Sequence, residues 1–280
     1  MTHQKQRLAW RKLCAAKWVD SWQERLHWIG WERLAITQLS GSQRARLEVY
    51  DLTEAEARIL KKEFGGEIRN LSRSSADWAK SIAQRKPISI RGRLLITNSE
   101  PPSDKPGNLI FIPAGLAFGT GEHATTAGCL RLLCDIIPRD PPPWSLLDVG
   151  TGTGILAIAA ARLGAKQADA IDWDATAVQT AKQNCRLNGC SKLVRVRQDD
   201  ILKIQRLGSY DVVTANLYSD LLNQAAPRLV NATRSKGFLI VSGILREQLS
   251  EVIDSLQRLD LDIIERRTRG KWSVLLARRK

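Results

Sequence analysis

The sequence predicts an α/β protein in which a doubly wound, mostly parallel sheet of seven strands follows a small amino-terminal α/β sandwich. Two observations lead to this prediction. After Pro141–Pro143, short apolar strands alternate with helices to the end of the chain, a pattern that builds a parallel sheet covered on both faces. Before it, the first seventy residues follow the order strand, helix, strand, strand, helix, strand. We predict domains at 1–72 and 109–280, joined by a linker at 73–108.

The amino-terminal elements follow from spacing and capping signals. RLAWRKLC is the first strand, and AAKWVDSWQERLHWIGW carries Trp18, Trp22 and later apolar residues at helical spacing, which predicts a helix with a buried stripe. ERLAITQL and ARLEVYDL alternate as half-buried strands do. Thr53 and Glu56 form a capping box ahead of EAEARILKKEF, and Gly65–Gly66 ends that helix. Nothing in this region resembles catalytic machinery, so we interpret it as a docking domain.

The second half of the chain supplies the large sheet. The linker is polar and interrupted, with one predicted strand, ISIRGRLLI. Strands SLLDVG, DAIDW, KLVRVRQ, DVVTANL and GFLIVSGI then alternate with helices TGILAIAAARLG, ATAVQTAKQNCRLNG, SDLLNQAAPRLV and EQLSEVIDSLQRL. The final stretch, DIIERRTRGKWSVLLAR, predicts two strands joined by a turn. Such a hairpin adds an antiparallel edge to the sheet.

Glycines crowd the end of the first strand of this region. Gly150, Gly152 and Gly154 follow Asp148 in the stretch DVGTGTG, and glycine lets the backbone approach a ligand closely. A dinucleotide site places its third glycine at the sixth position of the motif. Ile155 stands at that position here, so dinucleotide binding is disfavoured.

Polar residues end the next three strands as well. Asp172 closes the second strand and is suited to accept hydrogen bonds from both hydroxyls of a ribose. The third strand leads into Asp199–Asp200, and we predict that Asp200 contacts an adenine amine because Ile201 returns to the apolar wall. The fourth strand ends at Asn216. Ligands of such sheets lie at the carboxyl ends of the strands, so these residues together predict a nucleoside site.

With these strand ends, residues 110–280 resemble the class I S-adenosylmethionine-dependent methyltransferases, which have a Rossmann-like fold. FGTGEHATT ahead of DVGTGTGILAIAAARLGA, and then ANLY, resembles the ribosomal large-subunit protein eleven methyltransferase family. The resemblance implies S-adenosylmethionine as cofactor, with contacts at Thr126, Gly150, Asp172 and Asn216. We add Gly152 to the predicted cofactor contacts because it belongs to the same glycine stretch as Gly150. The resemblance also implies that the amino-terminal domain recognises the substrate.

The resemblance gives the stretch FGTGEHATTAG a role. Residues 118–124 would form a glycine-hinged flap over the cofactor, and Thr125–Thr126 would open a helix whose amino end faces the methionine carboxylate. The chain departs from the family pattern at Glu122, at Ala124, and at Leu217–Tyr218 after Asn216. We expect cofactor binding to survive these departures, while they bear on the identity of the substrate.

The implied function is transfer of methyl groups to lysine or amino-terminal amines of a ribosomal large-subunit protein. Asn216 is the predicted catalytic residue, because it can accept a hydrogen bond from an N–H of the amine and so orient the lone pair of the amine nitrogen. His123 is open to two interpretations, a base or a residue that packs the flap. An RNA methyltransferase is the alternative, favoured by a net charge of +14 and by Tyr218, which can stack on a base. Methylation of a different protein, and a scaffold without transfer activity, also stay open.

Composition limits the remaining possibilities. Five cysteines and three histidines lack metal-ligand spacing, so we predict no metal site. No run of eighteen apolar residues is present, and the basic start is too interrupted by charge for a secretory signal. We therefore expect a cytoplasmic protein with no membrane contact. Its basic surface suits contact with the ribosome or RNA.

Overall fold

The computed structural model describes residues 8–26, 29, 33–39, 42–70, 87–101, 106–113, 121 and 123–280. The chain divides into two compact units, residues 1–81 and residues 82–280. The boundary between the units falls within 73–108, and the domain limits given above stay predictions. No helix in the part of the chain that is described is long and apolar enough to cross a membrane.

The described residues of the amino-terminal unit form a four-stranded antiparallel sheet, in the order β2-β3-β1-β4, and two helices. Its elements are β1 (Leu8–Ala15), α1 (Val19–Leu26), β2 (Leu34–Gln38), β3 (Arg44–Leu52), α2 (Glu54–Phe64) and β4 (Glu67–Asn70). This is the predicted order. Trp10, Leu47 and Leu60 are fully buried in its core. The predicted burial of Trp18 is wrong: its exposure is 54%, because a 3-10 turn over Ala16–Trp18 precedes α1 and breaks the α-helical spacing.

Both ends of helix α2 follow the predicted signals. Thr53 Oγ1 accepts a hydrogen bond from the Glu56 N–H at 3.3 Å, and the Thr53 N–H donates to Glu56 Oε2 at 2.8 Å, which completes the capping box. Beyond the helix, Gly66 has φ +86°, and a Cβ there would lie 2.6 Å from the Arg11 carbonyl oxygen and 2.8 Å from Trp10 Nε1. Only glycine meets both conditions.

The stretch ISIRGRLLI, predicted as a single strand, contributes two strands to a small three-stranded sheet. The sheet consists of β5 (Ile88–Ile90), β6 (Leu94–Thr97) and β7 (Leu109–Phe111), with β5 antiparallel and β7 parallel to β6. The prediction of one strand is wrong because Arg91 and Gly92 both have positive φ, 53° and 63°. The Arg93 N–H donates to the Ile90 carbonyl at 2.9 Å. These features define a two-residue hairpin turn.

The large sheet has seven strands in the order β10-β9-β8-β11-β12-β14-β13. They are β8 (Ser145–Val149), β9 (Gln167–Asp172), β10 (Val194–Gln198), β11 (Tyr210–Asn216), β12 (Thr233–Leu245), β13 (Leu261–Arg269) and β14 (Trp272–Arg279). The first five strands in this order are parallel, β14 is antiparallel to its neighbour β12, and β13 is antiparallel to β14. The predicted fold class is confirmed.

Helices cover both faces of this sheet. They are α3 (Ala124–Ile136), α4 (Ile155–Arg162), α5 (Ala175–Leu187), α6 (Ser219–Ala232) and α7 (Leu249–Gln257). Neighbouring strand residues belong to different core clusters: Leu146 packs with residues of α3, α4 and α5, and Leu147 packs with residues of α6 and α7. This alternation makes the sheet doubly wound. Helix α3 begins at Ala124 and not, as predicted, at Thr125, because His123 is its N-cap residue.

Candidate functional site

The order of the parallel strands changes direction at β8, which lies between β9 and β11. Gly150, Gly152 and Gly154 follow β8 with φ values of 68°, 54° and 82°, a region that favours glycine. A Cβ at Gly150 would lie 2.3 Å from Cδ2 of Leu217. The glycines are therefore required by the turn and by its neighbour. The loop lies at the sheet edge where doubly wound proteins bind ligands.

Asp172 holds this loop from the end of β9. Its Oδ2 accepts a hydrogen bond from the Gly152 N–H at 2.9 Å, and its Oδ1 accepts one from the Asp174 N–H at 3.1 Å. The residue is 8% exposed. Each carboxylate oxygen has a second lone-pair site, so a fixed carboxylate with both oxygens oriented can still accept two hydroxyl donors.

A second carboxylate, Asp148, lies beneath the loop and was given no role by the sequence. It is 1% exposed, and its two oxygens accept hydrogen bonds from Thr151 Oγ1 and Thr214 Oγ1, each at 2.6 Å. Burial is the main cause that raises the pKa of the Asp148 carboxyl to about 6, and the two threonines oppose that rise. The sequence signal was its position at the head of the glycine stretch, but the depth of its burial needs the packed sheet.

Asn216 joins the end of β11 to the amino end of α3. Its Nδ2 donates to Thr125 Oγ1 at 3.3 Å and to Thr126 Oγ1 at 3.5 Å. Both threonines are almost fully buried. His123 Nδ1 lies 2.7 Å from Thr125 Oγ1 and accepts the Thr125 N–H at 3.4 Å. The structure thus brings together Asn216 and Thr126, two of the predicted site residues.

Asp200, the predicted contact to adenine, follows the end of β10, and both of its carboxylate oxygens already have partners. Asp200 Oδ1 accepts the Leu202 N–H at 2.9 Å and its Oδ2 lies 3.2 Å from Lys203 Nζ. The Leu202 N–H is the main cause that lowers the pKa of Asp200. Trp173 follows Asp172 directly and is 73% exposed. The sequence reasoning passed over Trp173, although an exposed aromatic ring beside a strand-end carboxylate suits a purine.

The loop after Asn216 is tightly packed on one side and open on the other. Gly243, at a bulge in β12 with φ +87°, has no room for a Cβ against the Leu217 carbonyl. Tyr218 is 79% exposed. Its predicted role in stacking on a base stays a prediction.

Most of the predicted flap lies outside the described residues. Residues 118–120 and Glu122 are among those that are not described. Gly121 has φ +86°, and a Cβ there would lie 3.1 Å from Ile96 Cδ1 and 3.2 Å from Ile155 Cδ1. The flap itself stays a prediction.

Comparison with known proteins agrees with this architecture. The family model described as ribosomal protein L11 methyltransferase (PrmA) matches residues 2–280. The chain belongs to the ribosomal protein L11 methyltransferase family. A member of the L11 methyltransferase family from Geotalea uraniireducens (strain Rf4) is 40% identical over 211 residues, which cover 71% of this chain and 66% of that protein. Another, from Pelotomaculum thermopropionicum, is 37% identical over 244 residues, covering 86% of this chain and 77% of that protein.

The L11 methyltransferase family also supplies a similar solved structure. The crystal structure of a ribosomal protein L11 methylase from Lactobacillus delbrueckii subsp. bulgaricus has a TM-score of 0.61 and 30% identity, covering 70% of this chain and 100% of that one. This chain spans about two thirds of the length of the Geotalea relative. The predicted family and fold are confirmed, and the family consists of S-adenosylmethionine-dependent methyltransferases, as predicted.

Proposed function

We propose that this chain is an S-adenosylmethionine-dependent N-methyltransferase that methylates lysine or amino-terminal amines of ribosomal protein L11. The relatives named for that substrate support the choice of acceptor. One observation carries the proposal: a carboxylate with both oxygens oriented, Asp172, holds the glycine loop at the same sheet edge as the contact between Asn216 and Thr125.

The side chains at this edge fit the donor. We assign Asp172 to the ribose hydroxyls, because its two oxygens are held by backbone N–H groups and have lone pairs left. Gly150 and Gly152 leave the loop backbone bare for close approach. Thr126, in the first turn of α3, suits a carboxylate, which is favoured at a helix amino end. Trp173 and Asp200 are assigned to the adenine.

Asn216 is assigned to the acceptor amine. The bound donor supplies a methyl group on a sulfonium centre, which is a good leaving group, so no protein nucleophile is required. The amine must reach the site neutral, whereas a free lysine titrates near ~10.4. With Asn216 Nδ2 directed to Thr125 and Thr126, its Oδ1 is left to accept an amine N–H and orient the nitrogen lone pair. The contact between His123 and Thr125 favours a packing role for the histidine over a base.

The remaining predictions belong to the same proposal. The described residues of the amino-terminal unit include no strand-end carboxylate set of the kind found at the large sheet, and we assign this unit to recognition of the protein substrate. A ribosomal acceptor implies action in the cytoplasm. Contact with ribosomal RNA through the basic surface is consistent with the net charge of +14.

Labelled donor tests both the acceptor and Asn216. Large ribosomal subunits incubated with the enzyme and S-adenosylmethionine carrying a labelled methyl group should incorporate label into protein L11. Label found only in the RNA fraction would establish the RNA alternative instead. Asn216→Ala should lower kcat about 100-fold through loss of alignment, while the exposed Asn231→Ala control should match the wild type. An unchanged kcat in Asn216→Ala would remove that residue from the mechanism.

A further inference from the structure

A crevice of about 270 Å³ lies between α3 and the carboxyl-terminal hairpin β13–β14. Three arginines, Arg131, Arg267 and Arg269, line it. Trp272 and Val274 give it an apolar side. We call it the arginine crevice. None of these residues has a part in the donor site described above.

The arginine crevice has more positive charge than its neighbours neutralise. Two described carboxylates near it are already used by Arg267, whose Nη2 lies 2.7 Å from Asp135 Oδ2 and whose Nε lies 2.6 Å from Glu265 Oε1. Among the described residues, neither Arg131 nor Arg269 has a hydrogen bond or an ion pair to a side chain.

The cations repel one another across α3. Asp135 also pairs with Arg91, at 2.9 Å. In the part of the chain that is described, the three crevice arginines and Arg91 therefore share two carboxylates, Asp135 and Glu265. Burial lowers the pKa of Arg131, and repulsion by Arg269, Arg91 and Arg267 lowers it further. An anion placed among these groups would offset the repulsion and favour the charged form of Arg131.

One N–H donor of the arginine crevice has no acceptor among the described residues. That donor is Nη1 of Arg267, which is shielded from solvent. The Nε and Nη2 atoms of the same guanidinium both donate to carboxylates. A buried guanidinium N–H without an acceptor is costly, and an added oxygen ligand would satisfy it.

The arginine crevice adjoins the proposed transfer site. Thr125 lines it and is the same residue that accepts a hydrogen bond from Asn216 at 3.3 Å. The Trp272 ring packs edge-on against His123, with 5.4 Å between the ring centroids. A group held in the arginine crevice therefore lies one side chain away from the residue assigned to the acceptor amine.

We propose that the arginine crevice binds the carboxylate of an aspartate or glutamate of the acceptor protein, close to the amine that is methylated. This inference rests on the proposed protein substrate. A planar carboxylate matches the paired N–H groups of a guanidinium, and its short methylene stem matches the apolar side at Trp272. RNA is favoured less, because its binding grooves place phosphate contacts along an open track, whereas this crevice is a single pocket.

The test compares two crevice variants with a matched control on the same strand. Arg269→Gln and Arg131→Gln remove charge from the arginine crevice, and Arg269 is exposed, so that change leaves the fold intact. Arg266→Gln removes the same charge from the exposed neighbour of Arg267 that does not line the crevice. Purified protein L11 is the acceptor, and calorimetry measures the affinity for S-adenosylhomocysteine.

We expect each crevice variant to raise KM for protein L11 about 10-fold, the loss of one charge-assisted hydrogen bond. The affinity of each crevice variant for S-adenosylhomocysteine should stay unchanged, and the KM of Arg266→Gln for protein L11 should equal that of the wild type. Replacing the acidic residues of the acceptor by their amides, one at a time, should identify one whose loss raises KM equally and makes Arg269→Gln silent.

Two results would overturn the inference while leaving the proposed function in place. One is methylation of protein L11 with an unchanged KM in both crevice variants. The other is an affinity loss confined to ribosomal RNA fragments, which would assign the arginine crevice to phosphate. Failure of the wild-type enzyme to bind or methylate protein L11 would contradict the proposed function itself.

Discussion

The buried carboxylate Asp148 should make the stability of the fold depend on pH in a direction opposite to that of most carboxylates. Its pKa is raised from 3.8 to about 6. A group whose pKa is higher in the folded state stabilises the fold below its unfolded pKa, and that contribution is lost as the pH rises through 6. A difference of about 2 pKa units corresponds to about 3 kcal/mol in all, and about half of it falls between pH 5 and 8.

Asp148→Asn isolates this contribution because asparagine has no proton to lose. Urea unfolding of both proteins between pH 5 and 8 gives the free energy of unfolding at each pH. We expect the wild type to lose stability relative to the variant by roughly 1–2 kcal/mol over this range. The constant cost of an amide among Thr151 and Thr214 cancels from the slope. The exposed Asp254→Asn variant is the control, and its curve should run parallel to the wild type.

A stability difference that stays flat from pH 5 to 8 would refute the assignment of a raised pKa to Asp148. In that case, a wild type that gains on the variant as the pH rises from about 3 to 5 would mean that hydrogen bonds from the two threonines outweigh desolvation. Asp148 would then be ionised throughout the range from pH 5 to 8 and would belong to the charged part of the donor site.

Three further predictions concern the sheet edge. Asp172→Asn should weaken binding of S-adenosylhomocysteine by about 10–100-fold, as calorimetry measures, because a charged acceptor is lost; an unchanged affinity would remove Asp172 from the site. Gly150→Ala should cost about 1–2 kcal/mol from its left-handed backbone alone, plus the clash with Leu217. Adding Leu217→Ala should relieve only the clash, and fully additive free energies of unfolding would show that the two residues do not meet. Trp173→Ala should weaken the binding of S-adenosylhomocysteine by roughly 1–3 kcal/mol through lost stacking. The unfolding midpoint should stay unchanged because the ring is exposed, and an affinity equal to that of the wild type would place the adenine elsewhere.

Local signals predict much of the fold, and the errors have local causes too. Apolar periodicity predicts the strands and helices of the large sheet, and a capping box predicts the start of α2 at Thr53. The errors at Trp18 and at ISIRGRLLI arise where a few residues leave the regular geometry, in a 3-10 turn and in the positive-φ pair Arg91–Gly92. Periodicity averages over a window and does not detect such short departures.

Contiguous stretches of sequence carry the strand-end residues and the glycine spacing, which predict the fold class and the candidate residues Asp172 and Asn216, and they also carry the motifs by which the chain resembles its family. The tertiary structure decided what depends on distant contacts. It buried Asp148 against Thr214, 66 positions further along the sequence. It also paired Asp135 with Arg267, 132 residues apart, beside Nη1 of that arginine, which has no acceptor among the described residues. Burial and charge balance depend on which residues are neighbours in space. Those neighbours are distant in sequence and meet only when the sheet has formed, so local sequence patterns do not reveal them.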